Sequence, residues 1–266
     1  MPKNWQEAML DSSLRLPRGP VQLRQSLPFI PASAMAGQYY CELKVDNSFV
    51  KGEIQTEAKT EGSLLHGEIL AMKETTMEQI VLNIEREQVY VASFPLVSLV
   101  GDIVLAGIPD AIVFVQGRPA FVVELKTTVG DPNILYQDQE FQTGIYGLIL
   151  EGMGFDCSAL KLAIIRLRRK EPMLDEERRK FLSIAKLALP ANEPKLIERA
   201  FKGKARVHLV SFKKEAILQQ VEWAKSYWLM NREPLPTKNP RKCKACEFNN
   251  TCPSSLWDPS LGTTLT

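Results

Sequence analysis

The stretch from Gly107 to Lys126 constrains this chain more than any other. Gly107-Ile108-Pro109-Asp110 runs into the apolar segment Ala111 to Val115. Gln116-Gly117-Arg118-Pro119 has the composition of a turn, and Ala120 to Lys126 is a second apolar segment. Two short runs rich in β-branched and aromatic residues, split by a Gly/Pro turn, predict a β-hairpin. The runs are close to continuously apolar, which predicts a sheet covered on both faces. Three charges interrupt them: Asp110 at the head of the first strand, Glu124 and Lys126 on the second. Residues two apart on a strand share a face, so Glu124 and Lys126 point the same way, with Asp110 brought close by the hairpin. Carboxylates in apolar strands are costly to bury unless they hold a cation or a partner.

The flanking sequence supplies helices and further strands. A short helix is expected from Ser33 to Cys41 with Ser33 as its N-cap, and another over Ser63 to Met72 carrying His66. Ile80 to Ile84 and Gln88 to Ala92 read as strands. Leu99 to Ala106 is an apolar run. Thr127 to Asn133 is a polar loop, and Ile134 to Glu151 is helical, ended by Gly152 and Gly154. Leu160 to Leu167 reads as a buried strand, Arg168 to Leu189 as a charged helix and Arg206 to Phe212 as a last strand. Lys213 to Asn231 is an amphipathic helix, and the tail after Arg232 is expected to lack regular structure. This order predicts an α/β (mixed α+β) fold with a central mixed sheet flanked by helices.

The chain has 266 residues and is 45% hydrophobic, ample for a core, which excludes a disordered chain or a disulfide-dependent miniature. Its formal net charge of +2 excludes a histone-like coat of positive charge but leaves room for a local basic groove. The first residues hold no apolar signal segment, and no clean apolar run approaches the ~20 residues of a membrane helix, so a cytoplasmic protein is expected.

Two carboxylates beside a lysine have a direct chemical reading. Asp110 and Glu124 offer hard oxygen ligands for Mg²⁺ or Mn²⁺. Such an ion polarises a phosphodiester and lowers the pKa of water, with Lys126 orienting that water or neutralising phosphate charge. The pattern alone fits equally well two acids paired with a lysine on a solvated edge. Gln142 and Tyr146 are four apart and share a helical face; Gln139 is a second candidate for the glutamine.

Five cysteines is an odd number, and Cys243, Cys246 and Cys252 crowd the C-terminus as C-x2-C-x5-C-Pro. Three clustered thiols suggest a metal centre, with Cys41 or Cys157 completing it. By spacing, zinc and an iron–sulfur cluster are equally acceptable.

Taken together, Gly107-Ile108-Pro109-Asp110, Val123-Glu124-Leu125-Lys126 and Gln142-Thr143-Gly144-Ile145-Tyr146 resemble the RecB-type PD-(D/E)XK nucleases. The resemblance implies a restriction-endonuclease-like fold and a metal site formed by His66, Asp110, Glu124 and the carbonyl of Leu125. Lys126 is implied as catalytic, with Gln142 and Tyr146 facing the metal and positioning DNA. Tyr39-Tyr40-Cys41-Glu42-Leu43-Lys44 resembles the first cysteine segment of the members that carry a [4Fe-4S] cluster. These include CRISPR-associated adaptation nucleases and the AddB nuclease domain. That likeness implies Cys41, Cys243, Cys246 and Cys252 as ligands joining the two chain ends, with Cys157 left over.

The organisation expected is an N-terminal extension (1–30), one nuclease domain (31–253) and a tail (254–266). The function expected is metal-dependent hydrolysis of DNA, as an exonuclease on single strands or ends, without membrane partners and with CRISPR-adaptation or helicase partners. The alternative is a non-catalytic nucleic-acid-binding module stapled by zinc or an iron–sulfur site. Basic runs at Arg166 to Lys170, Arg178 to Lys180, Lys202 to Arg206, Lys213-Lys214 and Lys238 to Lys244 are solvated faces or a phosphate track. Tyr39, Tyr40, Trp223, Tyr227, Trp228 and Phe248 are candidates for base stacking or for core.

Overall fold

The computed structural model describes residues 4–10, 19–52, 54, 76–168 and 175–257, with the backbone alone for 175–179 and 182. The expected helix over Ser63 to Met72, and His66 with it, lies outside the described residues. The first half runs α1 (Trp5–Leu10), β1 (Ile30–Pro31), α2 (Ala32–Gly37), α3 (Glu42–Val50) and α4 (Met77–Arg86). Then come β2 (Val89–Ala92), β3 (Leu96–Val100), β4 (Ile103–Gly107), β5 (Ala111–Val115) and β6 (Arg118–Thr128). The second half runs α5 (Gln137–Gly152), β7 (Lys161–Arg168), α6 (Asp175–Ala188) and α7 (Pro194–Ala200). It closes with β8 (Ala205–Ser211), α8 (Lys214–Trp228) and α9 (Pro240–Lys244).

The expected hairpin is β5 and β6, antiparallel, with Ala111 opposite Val123 and Val115 opposite Arg118. It forms the centre of a five-stranded mixed sheet ordered β2-β5-β6-β7-β8. β6 and β7 are parallel, which requires a crossover, and α5 supplies it. The alternation of the strands divides two cores. Val113, Val123, Leu125, Ile165 and Leu167 face α6 and α7, where Phe181, Ala185, Leu189 and Ile197 cover them. Ile112, Phe114 and Val122 face the other way, into a core holding Phe141, Ile145, Ile149, Tyr227 and Trp228. Period-2 geometry therefore puts Glu124 and Lys126 on the α5 side, in step with Val122. α5 is buried along nearly its whole length from Gln139 to Leu150 because sheet, α2 and α8 all pack on it.

The central mixed sheet flanked by helices is the one expected, and β1, β4 and β3 add a separate three-stranded sheet packed against α5. The structure corrects several smaller expectations. Ile80 to Ile84 is helical, part of α4. Thr76 caps that helix by accepting from Gln79 N at 3.3 Å, and Ile80, Val81 and Ile84 form its buried stripe. A cap and an i, i+4 apolar pair outweigh the weak β preference of branched residues. Ser33 is not an N-cap; α2 begins at Ala32 behind Pro31, without a side-chain cap. Cys41 leaves the helix it was assigned to and precedes α3 instead. Helix α5 starts at Gln137, not Ile134, and the tail contains the short helix α9, begun by Asn239 accepting from Arg241 N at 3.0 Å.

Candidate active site and cysteine pocket

β5 ends its ladder at Ala111 while β6 continues, so the N–H of Leu125 has no partner in β5. Asp110 supplies one: its Oδ2 accepts from Leu125 N at 2.6 Å. This bond fixes Asp110 against the Glu124-Leu125-Lys126 backbone. Asp110 is 3% exposed and Glu124 fully buried. Glu124 Oε1 receives Lys126 Nζ at 2.7 Å and Gln142 Nε2 at 3.0 Å. Lys126 Nζ also donates to Gln142 Oε1 at 3.2 Å, and Gln142 Nε2 lies 2.9 Å from Tyr146 Oη. Asp110, Glu124, Lys126, Gln142 and Tyr146 are thus one connected group, and Gln142 rather than Gln139 is the bridging glutamine.

The charges act on one another across this short space. Burial pulls the Lys126 ammonium down in pKa, but Glu124 beside it, with Asp110 and Asp138 behind, outweighs burial and leaves it raised. Burial raises the Tyr146 phenol well above its ordinary value, with Glu124 and Asp110 adding and the Gln142 bond opposing. The donor set is two buried carboxylates beside the backbone of Leu125. All are hard oxygens, which suits Mg²⁺ or Mn²⁺.

The backbone of Gly107 forms the floor under Tyr146. A Cβ on Gly107 would stand 2.7 Å from Tyr146 Cε1, a distance no real contact tolerates. This close approach gives a physical reason for the glycine three residues ahead of Asp110.

Cys41, Cys243, Cys246 and Cys252 line a single pocket together with Tyr40, Lys44, Lys242 and Phe248. Cys157 lies apart, buried on another side of the molecule near Glu151 and Lys214. Four thiols around one cavity suit a soft metal centre. Among the described residues, no group of three or more His, Cys, Asp or Glu side chains is set to hold a single metal ion. The chain ends also meet directly. Glu42, 1% exposed, accepts from Leu235 N at 2.8 Å, from Gln38 Nε2 at 2.9 Å and from Nη1 and Nη2 of Arg232. Lys242 Nζ donates to Tyr39 O at 2.8 Å, and Lys44 pairs with Glu247 at 3.1 Å.

Among the aromatic candidates, Tyr227, Trp228 and Phe248 are core. Trp223 is 42% exposed and stacks beside Tyr39 at 5.0 Å. Arg166 is not on a solvated face: it is 2% exposed, on β7 in register with Lys126. Its Nη1 donates to the carbonyls of Asp131 (3.1 Å) and Ile134, and its guanidinium lies 4.6 Å from the centroid of Tyr136. Nothing in the local sequence marks Tyr136, and Arg166 stands out there only as part of a basic run. His208 bonds Pro132 O at 2.9 Å.

The profile of the PD-(D/E)XK nuclease superfamily matches residues 37–253. The chain belongs to that superfamily, and with it to the nucleic-acid hydrolases that use divalent metals such as Mg²⁺ or Mn²⁺. A search of curated proteins finds no match. A solved crystal structure, that of SSO0001, is similar at 14% identity and a TM-score of 0.44, over 86% of this chain and 88% of that one. Among the described residues, no helix is long and apolar enough to cross a membrane.

Proposed function

We propose that the chain is a RecB-type DNA exonuclease of this superfamily, acting on single strands or DNA ends through one nuclease domain over residues 31–253. The observation that carries the reading is the joining of Glu124 and Lys126 through Gln142 on the α5 side of β6, with Asp110 bonded to the Leu125 N–H between them. Asp110, Glu124, the carbonyl of Leu125 and His66 would hold the divalent ion. When bound, that ion polarises the phosphodiester and makes water a better nucleophile. Lys126 presents its ammonium to the developing phosphate charge or orients the attacking water. Gln142 fixes Lys126 and Glu124 relative to each other, and Tyr146 holds Gln142.

We further propose that Cys41, Cys243, Cys246 and Cys252 carry a [4Fe-4S] cluster that pins the C-terminal tail to the start of α3. Support comes from their shared pocket and from the resemblance of the Cys41 segment to cluster-bearing nucleases. CRISPR adaptation or a helicase-linked repair pathway are the settings that resemblance suggests.

Asp110→Ala, Glu124→Ala and Lys126→Ala should each lower Mg²⁺- or Mn²⁺-dependent cleavage of a labelled oligonucleotide by about 100-fold or more, with the fold kept. Wild-type rates in any one of them refute the assignment and favour a non-catalytic binding module. Anaerobic purification should give a brown protein with about four irons per chain; a colourless protein with one zinc refutes the cluster.

A further inference from the structure

The loop from Val129 to Tyr136 joins β6, which carries Glu124 and Lys126, to α5, which carries Gln142. Loops of this kind are usually loosely held. This one is tied to β7 and β8 residue by residue. Arg168 Nε donates to Gly130 O at 3.1 Å, and Arg166 Nη1 to Asp131 O and Ile134 O. His208 holds Pro132 O at 2.9 Å, and Arg206 Nε donates to Asn133 Oδ1 at 2.6 Å. Four basic side chains are thus committed to the loop, and three of them are arginines. Arg166 forms no salt bridge among the described residues, although it is 2% exposed.

The rigid loop displays apolar groups to solvent: Val129 at 87% exposure, Ile134 at 47% and Tyr136 at 47%. Apolar side chains held at the surface by a tied loop offer a contact that is positioned in advance of binding. Tyr136 has its ring backed by the Arg166 guanidinium at 4.6 Å. Arg166 stands opposite Lys126 in the β6–β7 ladder, and adjacent strands lie only ~4.8 Å apart. The ring therefore sits one arginine away from the lysine of the acidic group, at the mouth of α5.

We infer that Tyr136, braced by Arg166, is a stacking platform for an unpaired nucleobase next to the scissile phosphate, so that the site engages its substrate as a separated strand. This rests on the nuclease reading above. A base inside a duplex has both faces covered by its neighbours, whereas a base splayed out of a separated strand has both free. Aromatic platforms of this kind accept every base because each has a π-face. The cation behind the ring is attracted to it and holds it in place. Arg166 is a positioning residue here, acting through Tyr136 and the loop carbonyls.

The test uses the full-length protein with Ca²⁺ in place of Mg²⁺, and a single-stranded oligonucleotide scanned with one abasic site at a time. The wild type should show one position at which the abasic site weakens binding by about 5- to 150-fold. Tyr136→Ala should bind the intact strand more weakly by a similar factor and lose the positional dip. Tyr136→Phe should keep both. A flat abasic profile in the wild type overturns the platform whether or not Tyr136→Ala folds. So does a Tyr136→Ala protein that retains the dip. In parallel, a wild type that binds and cuts DNA while failing these tests leaves the nuclease reading standing. One that neither binds nor cuts overturns both.

Discussion

The Tyr146 ring rests on the backbone of Gly107, where a single added carbon would approach Cε1 to 2.7 Å. β4 thereby sets the height of a side chain on α5, and through Tyr146 and Gln142 the position of Glu124. Gly107→Ala should force Tyr146 aside at a cost of about 1–3 kcal/mol, since the ring is 3% exposed and has no room to yield. Activity should fall by about 10- to 100-fold as Gln142 is displaced. Thermal melting and oligonucleotide cleavage on the same sample check both. Unchanged cleavage would mean that the ring does not position Gln142.

Gln142 touches Lys126, Glu124 and Tyr146 at once. Gln142→Ala should lower kcat by roughly 10- to 100-fold with a smaller effect on KM, as expected for loss of a group that orients others. It also strips the buried Tyr146 hydroxyl of a partner, for a stability loss of about 1–3 kcal/mol. Steady-state kinetics beside a denaturant titration separate the two effects.

Glu42 gathers Arg232, Leu235 N–H and Gln38 at the junction of the chain ends. Glu42→Ala should destabilise the protein toward the lower end of the ~3–5 kcal/mol seen for broken buried pairs, because Arg232 is itself partly open to water. Limited proteolysis should then cut first in the segment after Arg232. An intact tail in a destabilised variant would place the weakness elsewhere.

Burial pushes the Cys157 thiol up to about 12, with Glu151 and Asp156 adding. At pH 8 roughly one molecule in ten thousand would carry the thiolate, so Cys157 should resist alkylation in the native state. Reactivity should rise about tenfold for each pH unit above 8, following the thiolate fraction. Mass mapping after iodoacetamide treatment, native against denatured, tests this. Rapid native labelling at pH 8 would contradict it.

The local pattern of the chain determined the hairpin, the shared face of Glu124 and Lys126, and the four-residue step from Gln142 to Tyr146. These depend only on the period of a strand or a helix, which side-chain chemistry in a short window reveals. The same local logic failed at Ile80 to Ile84, where branched residues suggested a strand and the Thr76 cap with an i, i+4 apolar face made a helix. Tertiary structure alone decided what depends on distant segments meeting. The parallel β6–α5–β7 crossover laid Gln142 over Glu124, and the β6–β7 register put Arg166 beside Lys126. The gathering of Cys41 with three cysteines some two hundred residues later, and the bracing of Tyr136 by an arginine from β7, are likewise matters of packing. Neither spacing nor composition encodes such contacts, because they arise only when separate faces are buried against one another.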